Sequence, residues 1–443
     1  MKHLSVLNDK YKVELAIIKR HKFGQKHEHL NSLQIGLFDE AIVEDMAAID
    51  QEIQCVQAQH PDAEQPVKPK NQAKRKALPS HLHRLEIQHN PASTVCNCGC
   101  ELRKIGEDVS EKLSVIPAHF YVERHIRGKW VCDSCETLTQ EGIPANVIDK
   151  GIASSKLLSH VLISKYADHL PLYRQAEIYK RVGVDIARST LAGWIGQCGV
   201  ELQPLVDALR QVLLEQSVLH ADETPVSVMS IGGKKPTKGY VWAYATTTYS
   251  DVKAVVYDFC EGRAGKYAAE FLKSWQGSLV CDGYAGYKAL FNAGVTEVGC
   301  MAHARRKFHE LHVTKKSTIA IQALNMMQEL YAIEAKLADA TADQRRRIRQ
   351  LESKPIMDRL YQWLLEYQFK VLGNSASSVA INYSLKRWTA LTRYLEDGEL
   401  PIDNNWVENQ IRPWALGRKN WLFAGSLRSG QRAANIMTLI QLS

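Results

Sequence analysis

The chain has 443 residues and a formal net charge of +8, from 56 Lys and Arg against 48 Asp and Glu. That length exceeds one ordinary domain and predicts roughly two to four. An apolar fraction of 45% excludes wholesale disorder, and the lack of any apolar run of about 18 residues excludes a helical membrane span. The opening MKHLSVLNDKYKVELAIIKRHK interleaves charge with apolar residues and has no signal-peptide core. The expectation is a cytoplasmic, nucleoid-associated protein with no membrane partner. Its cysteines should then be thiols or metal ligands, not disulfides. The basic excess permits a polyanionic partner without proving one.

Residues 1–60 read as a helical or coiled-coil segment. Leu4, Leu7, Tyr11, Leu15 and Ile18, then Ile42, Met46, Ile49, Ile53 and Val56, recur at three- and four-residue spacing. A packed helical hairpin and a short self-associating coiled coil fit that pattern equally. Residues 61–91 read as a basic linker, with Pro61, Pro66, Pro69 and Pro79 among Lys68, Lys70, Lys74, Arg75 and Lys76. The linker is either simply solvated or laid along a phosphate backbone.

Residues 92–145 carry a cysteine cluster: Cys96, Cys98 and Cys100, then Cys132 and Cys135 beyond a hairpin-like alternating stretch. Thiolates brought together in pairs hold Zn²⁺ tetrahedrally. Cys132 and Cys135 form one regular knuckle. Cys98 and Cys96 are the expected ligands opposite, with Cys100 in reserve. Residues 150–215 look wholly helical, and LYRQAEIYKRVGVDIARSTLAGWIGQC has the form helix, turn at Gly183, second helix capped by Ser189 or Thr190. As a helix-turn-helix it would present Arg188, Thr190 and Trp194 to DNA, although any two-helix hairpin fits the same pattern.

From 217 the texture changes to strands. SVLHADETPVSVM, GYVWAYATTT and KAVVYDFCEG predict an antiparallel meander, followed by a helix at GKYAAEFLKSW and a strand in GSLVCDGYAGY. Asp222 lies inside the first strand and Asp282 at the end of the last, just before Gly283. Carboxylates so placed are costly unless paired or on a metal. Glu408 is the only acid from 404 to the end, on a predicted helix crowded by Arg412, Arg418, Lys419, Arg428 and Arg432. Three such carboxylates suit two Mg²⁺ (or Mn²⁺) ions, which activate a water or 3′-hydroxyl and stabilise the leaving oxygen. Arg412, Arg418 and Lys419 would hold the DNA backbone.

HADETPV, CDGYAGYKAL, CMAHARRKF and DNNWVENQIRPWALGRKNWLFAGS resemble the signature segments of the insertion-sequence-66 family of DDE transposases. KRHKFGQKHE with LFDE, GEDVSEKL and SKYADHLPLYRQ extend the likeness over nearly the whole chain. The resemblance implies a ribonuclease-H-like core from about 216, with Asp222, Asp282 and Glu408 as its DDE acids. His303, Arg305 and Arg306 match the HARRKF box, either as structure or as support for DNA and the active site. The first two acids lie 60 positions apart and the last two 126. A crossover needs only about 30 residues, so a large helical insertion is expected within 311–395, dividing the core into 216–310 and 396–443. The run RRRIR at 345–349 would be a solvated or a DNA-facing helix surface.

The expected whole is a multidomain α/β protein. A helical segment, a small zinc-binding β module and a helix-turn-helix-like domain precede a ribonuclease-H-like catalytic core with its insertion. The resemblance implies a transposase that cleaves and joins DNA, with double-stranded terminal repeats and target as partners. It also implies a homo-oligomer in the synaptic complex, and small accessory proteins of the element. The alternatives are an inactive DNA-binding copy and a metal-dependent nuclease without strand transfer. Against the family pattern, the CNCGC knuckle departs from the common CPxCG form, and the chain is expected to be shortened at both ends.

Overall fold

The computed structural model describes residues 77–443 apart from 117–118, 144, 149–150, 230–235, 316, 374, 422 and 443, together with 11, 14, 15, 43–45, 47–52 and 54. The chain forms two compact units. One comprises Met1–Gln203, Met229–Lys235 and Asn420–Ile436; the other comprises Pro204–Val228, Pro236–Lys419 and Met437–Ser443. No described helix is long and apolar enough to cross a membrane.

The first unit contains a sheet in the order β1-β3-β2: β1 (Arg84–His89), β2 (Leu102–Ile116) and β3 (His119–Cys132), with β4 (Leu138–Gln140) pairing β3. The alternating stretch between the cysteines is therefore the antiparallel hairpin β2–β3, paired from Leu102↔Cys132 to Ile116↔His119 with a register shift between Lys104 and Gly106. β1 was expected in the linker. It is a strand instead because LEIQ alternates, and it pairs parallel with β3. The linker's charged run at 68–76 lies outside the described residues.

Three helices follow: α1 (Ser155–Tyr166), α2 (Leu172–Arg181) and α3 (Arg188–Glu201). Ser154 caps α1, its hydroxyl accepting from the Leu157 amide at 3.3 Å. The turn between α2 and α3 passes through Gly183 at φ +81°, a left-handed conformation that glycine adopts without strain. The cap of α3 departs from expectation. Ala187 occupies the N-cap without a side-chain bond, so Ser189 and Thr190 fall inside the first turn.

Trp194 is also a correction. It is only 6% exposed, among buried Leu191, Ala192, Ile195 and Cys198, and a side chain so packed cannot read a base edge. A Cβ on Gly196 would lie 2.1 Å from the Glu44 carbonyl oxygen, and one on Gly199 2.7 Å from the Arg432 side chain. The helix is thus enclosed beyond its first turn. Only its start, with exposed Arg188 and half-buried Thr190, stays at the surface.

The described N-terminal residues are helical, and Ile49 is fully buried against Tyr11, Leu15, Met229 and Phe423. At these described positions the apolar repeat packs within its own unit. Leu4, Leu7, Ile18, Ile42, Met46, Ile53 and Val56 lie outside the described residues. Arg428 and Arg432, expected around Glu408, are engaged by acids of their own unit. Arg428 pairs with Glu14 and Glu52 at 2.8 and 2.9 Å, and Arg432 with Asp45.

The second unit is built on a five-stranded sheet of order β7-β6-β5-β8-β9. Its strands are β5 (Val218–Val228), β6 (Thr237–Thr246), β7 (Val255–Cys260), β8 (Ser278–Cys281) and β9 (Thr296–Gly299). The meander β5–β6–β7 is antiparallel as expected, and β8 and β9 run parallel to β5. Period-two alternation gives the sheet two apolar faces. Leu219, Ala221, Leu279 and Cys281 pack on one side with residues of α4 (Gln203–Leu214), α5 (Gly265–Leu272) and α6 (Lys288–Asn292).

On the other side, Val218, Val280 and Val298 pack with residues of α7 (Met301–Lys315), α8 (Thr318–Lys336), α10 (Lys354–Lys370) and α11 (Ala376–Lys386). Between these run α9 (Ala342–Ile348) and a π-helical turn, Arg349–Ser353; α12 (Trp388–Thr392), α13 (Asn405–Trp421) and α14 (Leu427–Ile440) complete the chain.

The run RRRIR divides in a way neither expectation allowed. Arg346 and Arg347 are exposed, but Arg345 and Arg349 are 5% and 0% exposed. The Arg349 guanidinium donates to both Glu334 oxygens at 2.8 and 2.6 Å. It also donates to the carbonyls of Tyr394, Asp397 and Leu400 at 3.0, 3.2 and 2.9 Å. A buried guanidinium persists when its donors are satisfied, and this one ties down the loop that leads into α13.

Candidate active site

Asp222 and Asp282 are brought together by strand register. β5 and β8 pair in parallel up to His220 opposite Val280, and Asp222 and Asp282 each follow two residues beyond that last pair. Neighbouring strands lie about 4.8 Å apart, and alternation puts both carboxyls on one face. Asp282 is held where β8 ends. Its carboxyl accepts from the Tyr284 amide at 2.8 Å, and its carbonyl from the Tyr383 hydroxyl at 2.7 Å. Gly283 follows at φ +89°, a conformation that favours glycine, and a Cβ there would also have to push aside the Arg387 guanidinium 1.9 Å away.

Glu408 lies in the first turn of α13. The start of this helix is fastened to β5 by a bond network in the DNN segment. Asn404, fully buried, donates to the Ala221 carbonyl at 3.0 Å and faces His220 Nδ1 at 2.8 Å with its amide oxygen. Since that oxygen can only accept, His220 donates. Burial pushes His220 down to about 4, keeping it neutral in that role. Asn404→Ala would leave both partners unsatisfied in the core. The expected cost is about 2–4 kcal/mol, checked as a lowered denaturant midpoint in the full chain.

The electrostatics tie the three acids together. Burial pushes Asp222 up to about 8, with repulsion from Glu223, Asp282 and Glu408 acting in the same direction. Glu408 is itself engaged: Arg306 donates to Oε2 at 3.0 Å, and His303 Nδ1 lies 3.5 Å from Oε1. Among the described residues, Asp222, Asp282 and Glu408 do not form a set with all ligand atoms within 4.8 Å, whereas Cys300, His303 and Glu408 do. An all-carboxylate donor set fits a hard divalent cation, and the strained ionisation of Asp222 is what such a cation relieves.

The basic residues divide by what they touch. Arg305, Arg412 and Lys419 are exposed. Arg418 is half-buried and donates to Thr224 Oγ1 and the Pro225 carbonyl at 3.2 and 2.8 Å, so its guanidinium anchors α13 to β5. Beside Glu408, Ala302, Arg305, Arg306, His309, Gln328, Tyr331 and Asn405 line a cavity of about 410 Å³ whose charged groups are cationic.

The cysteine cluster forms in the other unit. Sγ atoms of Cys96, Cys98, Cys132 and Cys135 all lie within 4.8 Å of one another, with Cys96–Cys135 at 3.2 Å and Cys98–Cys132 at 3.5 Å. Cys100 supplies backbone, its carbonyl accepting from the Cys96 amide at 2.8 Å. Four sulfurs at these separations fit a structural Zn²⁺, and removing one should undo the knuckle. Cys98→Ser is expected to lower the zinc content by one per purified chain, measured by metal analysis after gel filtration.

Three family comparisons cover the chain. Residues 10–87 match "Transposase C of IS166 homeodomain", 93–136 match "zinc-finger binding domain of transposase IS66", and 150–432 match "Transposase IS66 family". The last spans more than half of the sequence. The chain belongs to the IS66 transposase family. The uncharacterized protein y4qI of Sinorhizobium fredii is 36% identical over 96% of this chain and 81% of its own length. A second from that organism, y4jD, is 34% identical over 97% of this chain and 86% of its own.

Family membership makes the protein a transposase with DNA-binding and zinc-finger regions, as the sequence led one to expect. Sequence reading missed His220 and Asn404 as the link between the acids' two elements. It also missed Arg263 and Tyr287, which hold the buried Glu223 at 2.5 and 2.9 Å. The doubled Asn before WVEN was the one available signal, since buried amides need partners on two sides.

Proposed function

We propose that the second unit is a ribonuclease-H-like DDE core that cuts DNA at the ends of an insertion sequence and joins the freed 3′-ends to a target. The observation that carries this reading is the parallel pairing of β5 with β8, just beyond which Asp222 and Asp282 both fall, with Asp282 and Glu408 both raising the Asp222 carboxyl. An antiparallel meander followed by two parallel strands, with helices on both faces, supports the fold assignment. Asp222, Asp282 and Glu408 would hold Mg²⁺ or Mn²⁺, which supplies Lewis-acid stabilisation of the phosphoryl oxygens and a more acidic water. To take part, Glu408 turns one oxygen from Arg306 and His303 toward the two aspartates. Arg305, His309 and Asn405 in the adjoining cavity would seat a backbone phosphate. Arg188 and Thr190, at the exposed start of α3, would contact the terminal repeats. Two DNA ends must be held at once, which calls for a homo-oligomer in the synaptic complex.

The test is incubation of the full chain with a fragment bearing the element's ends and a supercoiled target, with Mg²⁺ or with chelator. End cleavage and joined products in Mg²⁺ alone are expected. Cleavage without joining would mark a nuclease, and no cleavage beside intact end binding would mark an inactive copy.

A further inference from the structure

Behind the three acids lies a second donor set, of different chemistry. Cys300 sits where β9 meets α7 and is fully buried. Its Sγ is 3.2 Å from His303 Nδ1, which is in turn 3.5 Å from Glu408 Oε1. Tetrahedral zinc with ordinary bond lengths sets sulfur and nitrogen ligands about 3.5 Å apart, and nitrogen and oxygen about 3.3 Å apart. The three atoms therefore already stand near the corners such an ion requires. Glu408 Oε1 is buried without a hydrogen-bond partner, while Oε2 is held by Arg306. The carboxylate is thus oriented with one oxygen free toward His303 and Cys300. The Asn404 backbone N–H donates to Cys300 Sγ at 3.2 Å, an outer contact that favours a thiolate ligand.

We propose that Cys300, His303 and Glu408 bind one thiophilic divalent cation of the Zn²⁺ class, with solvent in the fourth position, and that this ion withdraws Glu408 from the three-acid site. A sulfur–nitrogen–oxygen set favours Zn²⁺ or Co²⁺ over Mg²⁺, which takes oxygen ligands at octahedral geometry. With Oε1 on this cation and Oε2 held by Arg306, neither oxygen of Glu408 is left for the aspartates, so this cation inhibits a reaction that Mg²⁺ supports. The inhibition rests on Glu408 being the third acid; the uptake of metal does not.

Full-length chain, with zinc already in its four-cysteine cluster, is titrated with Co²⁺. The wild type should take up one further equivalent with tetrahedral visible bands and a thiolate-to-cobalt charge-transfer band. Cys300→Ser should lose that band and bind at least about tenfold more weakly, with His303→Asn behaving alike. Equal spectra and affinities in wild type and Cys300→Ser would overturn the site, as would no further uptake by the wild type. In parallel, Zn²⁺ added at fixed Mg²⁺ should slow cleavage by the wild type, and about tenfold more should be needed for Cys300→Ser. Equal sensitivity of the two would overturn the withdrawal of Glu408. A chain that shows the cobalt band yet never cuts DNA in Mg²⁺ supports this site and refutes the transposase chemistry instead.

Discussion

Asp222→Asn is expected to abolish metal-dependent cleavage while making the metal-free protein more stable. The first effect follows from losing a charged ligand between strands. Metal stabilisation of phosphoryl charge is worth several kcal/mol, so the rate should fall on the order of a thousandfold or more. The second follows from burial. The fold lifts the Asp222 carboxyl to about 8, well above the roughly 3.9 of an unfolded aspartate. A group whose proton affinity is raised on folding stabilises the folded state at acid pH, and that contribution is lost as pH climbs through the folded value.

Wild type should therefore weaken between about pH 4 and pH 8 relative to the Asn variant, by a few kcal/mol at most, with little difference at pH 4. Thermal midpoints of both proteins in chelator across that range check the sign. Added Mg²⁺ should narrow the gap by stabilising only the wild type. DNA binding, which draws on basic residues elsewhere, should persist in the variant.

Arg349→Ala should produce the largest loss of stability of any single change away from the acids. It removes a fully buried guanidinium with five bonds to one carboxylate and three carbonyls. Stripping one partner from a buried ion pair costs about 3–5 kcal/mol, because Glu334 is left charged in the core. Removing Glu334 as well should restore only part of this, because the carbonyls of Tyr394, Asp397 and Leu400 still lack their donor. Denaturant midpoints of the two single variants and the double variant separate the contributions. Full recovery in the double variant would show that the carbonyl clamp contributes nothing. The loop so clamped runs into Asn404 and α13, so partial activity loss at permissive temperature is expected too.

The elements that sequence made legible were those with local patterns. Strand alternation marked β5 to β7, and the unusual placement of Asp222 and Asp282 in strands marked two of the candidate acids. The spacing of Cys132 and Cys135 marked half of the cysteine cluster. What sequence could not supply was pairing between distant segments. Nothing local distinguishes Arg349, which is buried, from Arg346, which is exposed. The difference arises only when Glu334 and the 394–400 loop close over one side of the helix. Trp194 failed as a base-reading candidate for the same reason: a helix-turn-helix pattern fixes two helices and a turn but not what covers the second. Likewise Arg418, Arg428 and Arg432 looked like a basic surface around Glu408, and each turns out to answer a partner set by tertiary folding. The parallel pairing of β5 with β8, which brings the segments of Asp222 and Asp282 side by side, is the most consequential of these facts, and it is invisible before β8 finds β5.

The proposed convergence of the acids on one cation can be measured without any DNA chemistry. Fe²⁺ substituted into the full chain, with ascorbate and peroxide, generates hydroxyl radicals that cut the polypeptide within reach of the bound ion. Fragments ending near residues 222, 282 and 408 together, suppressed by excess Mg²⁺ and absent in Asp222→Asn, are the predicted result. Cutting confined to the cysteine cluster, or near 408 without 222 and 282, would contradict a shared metal site.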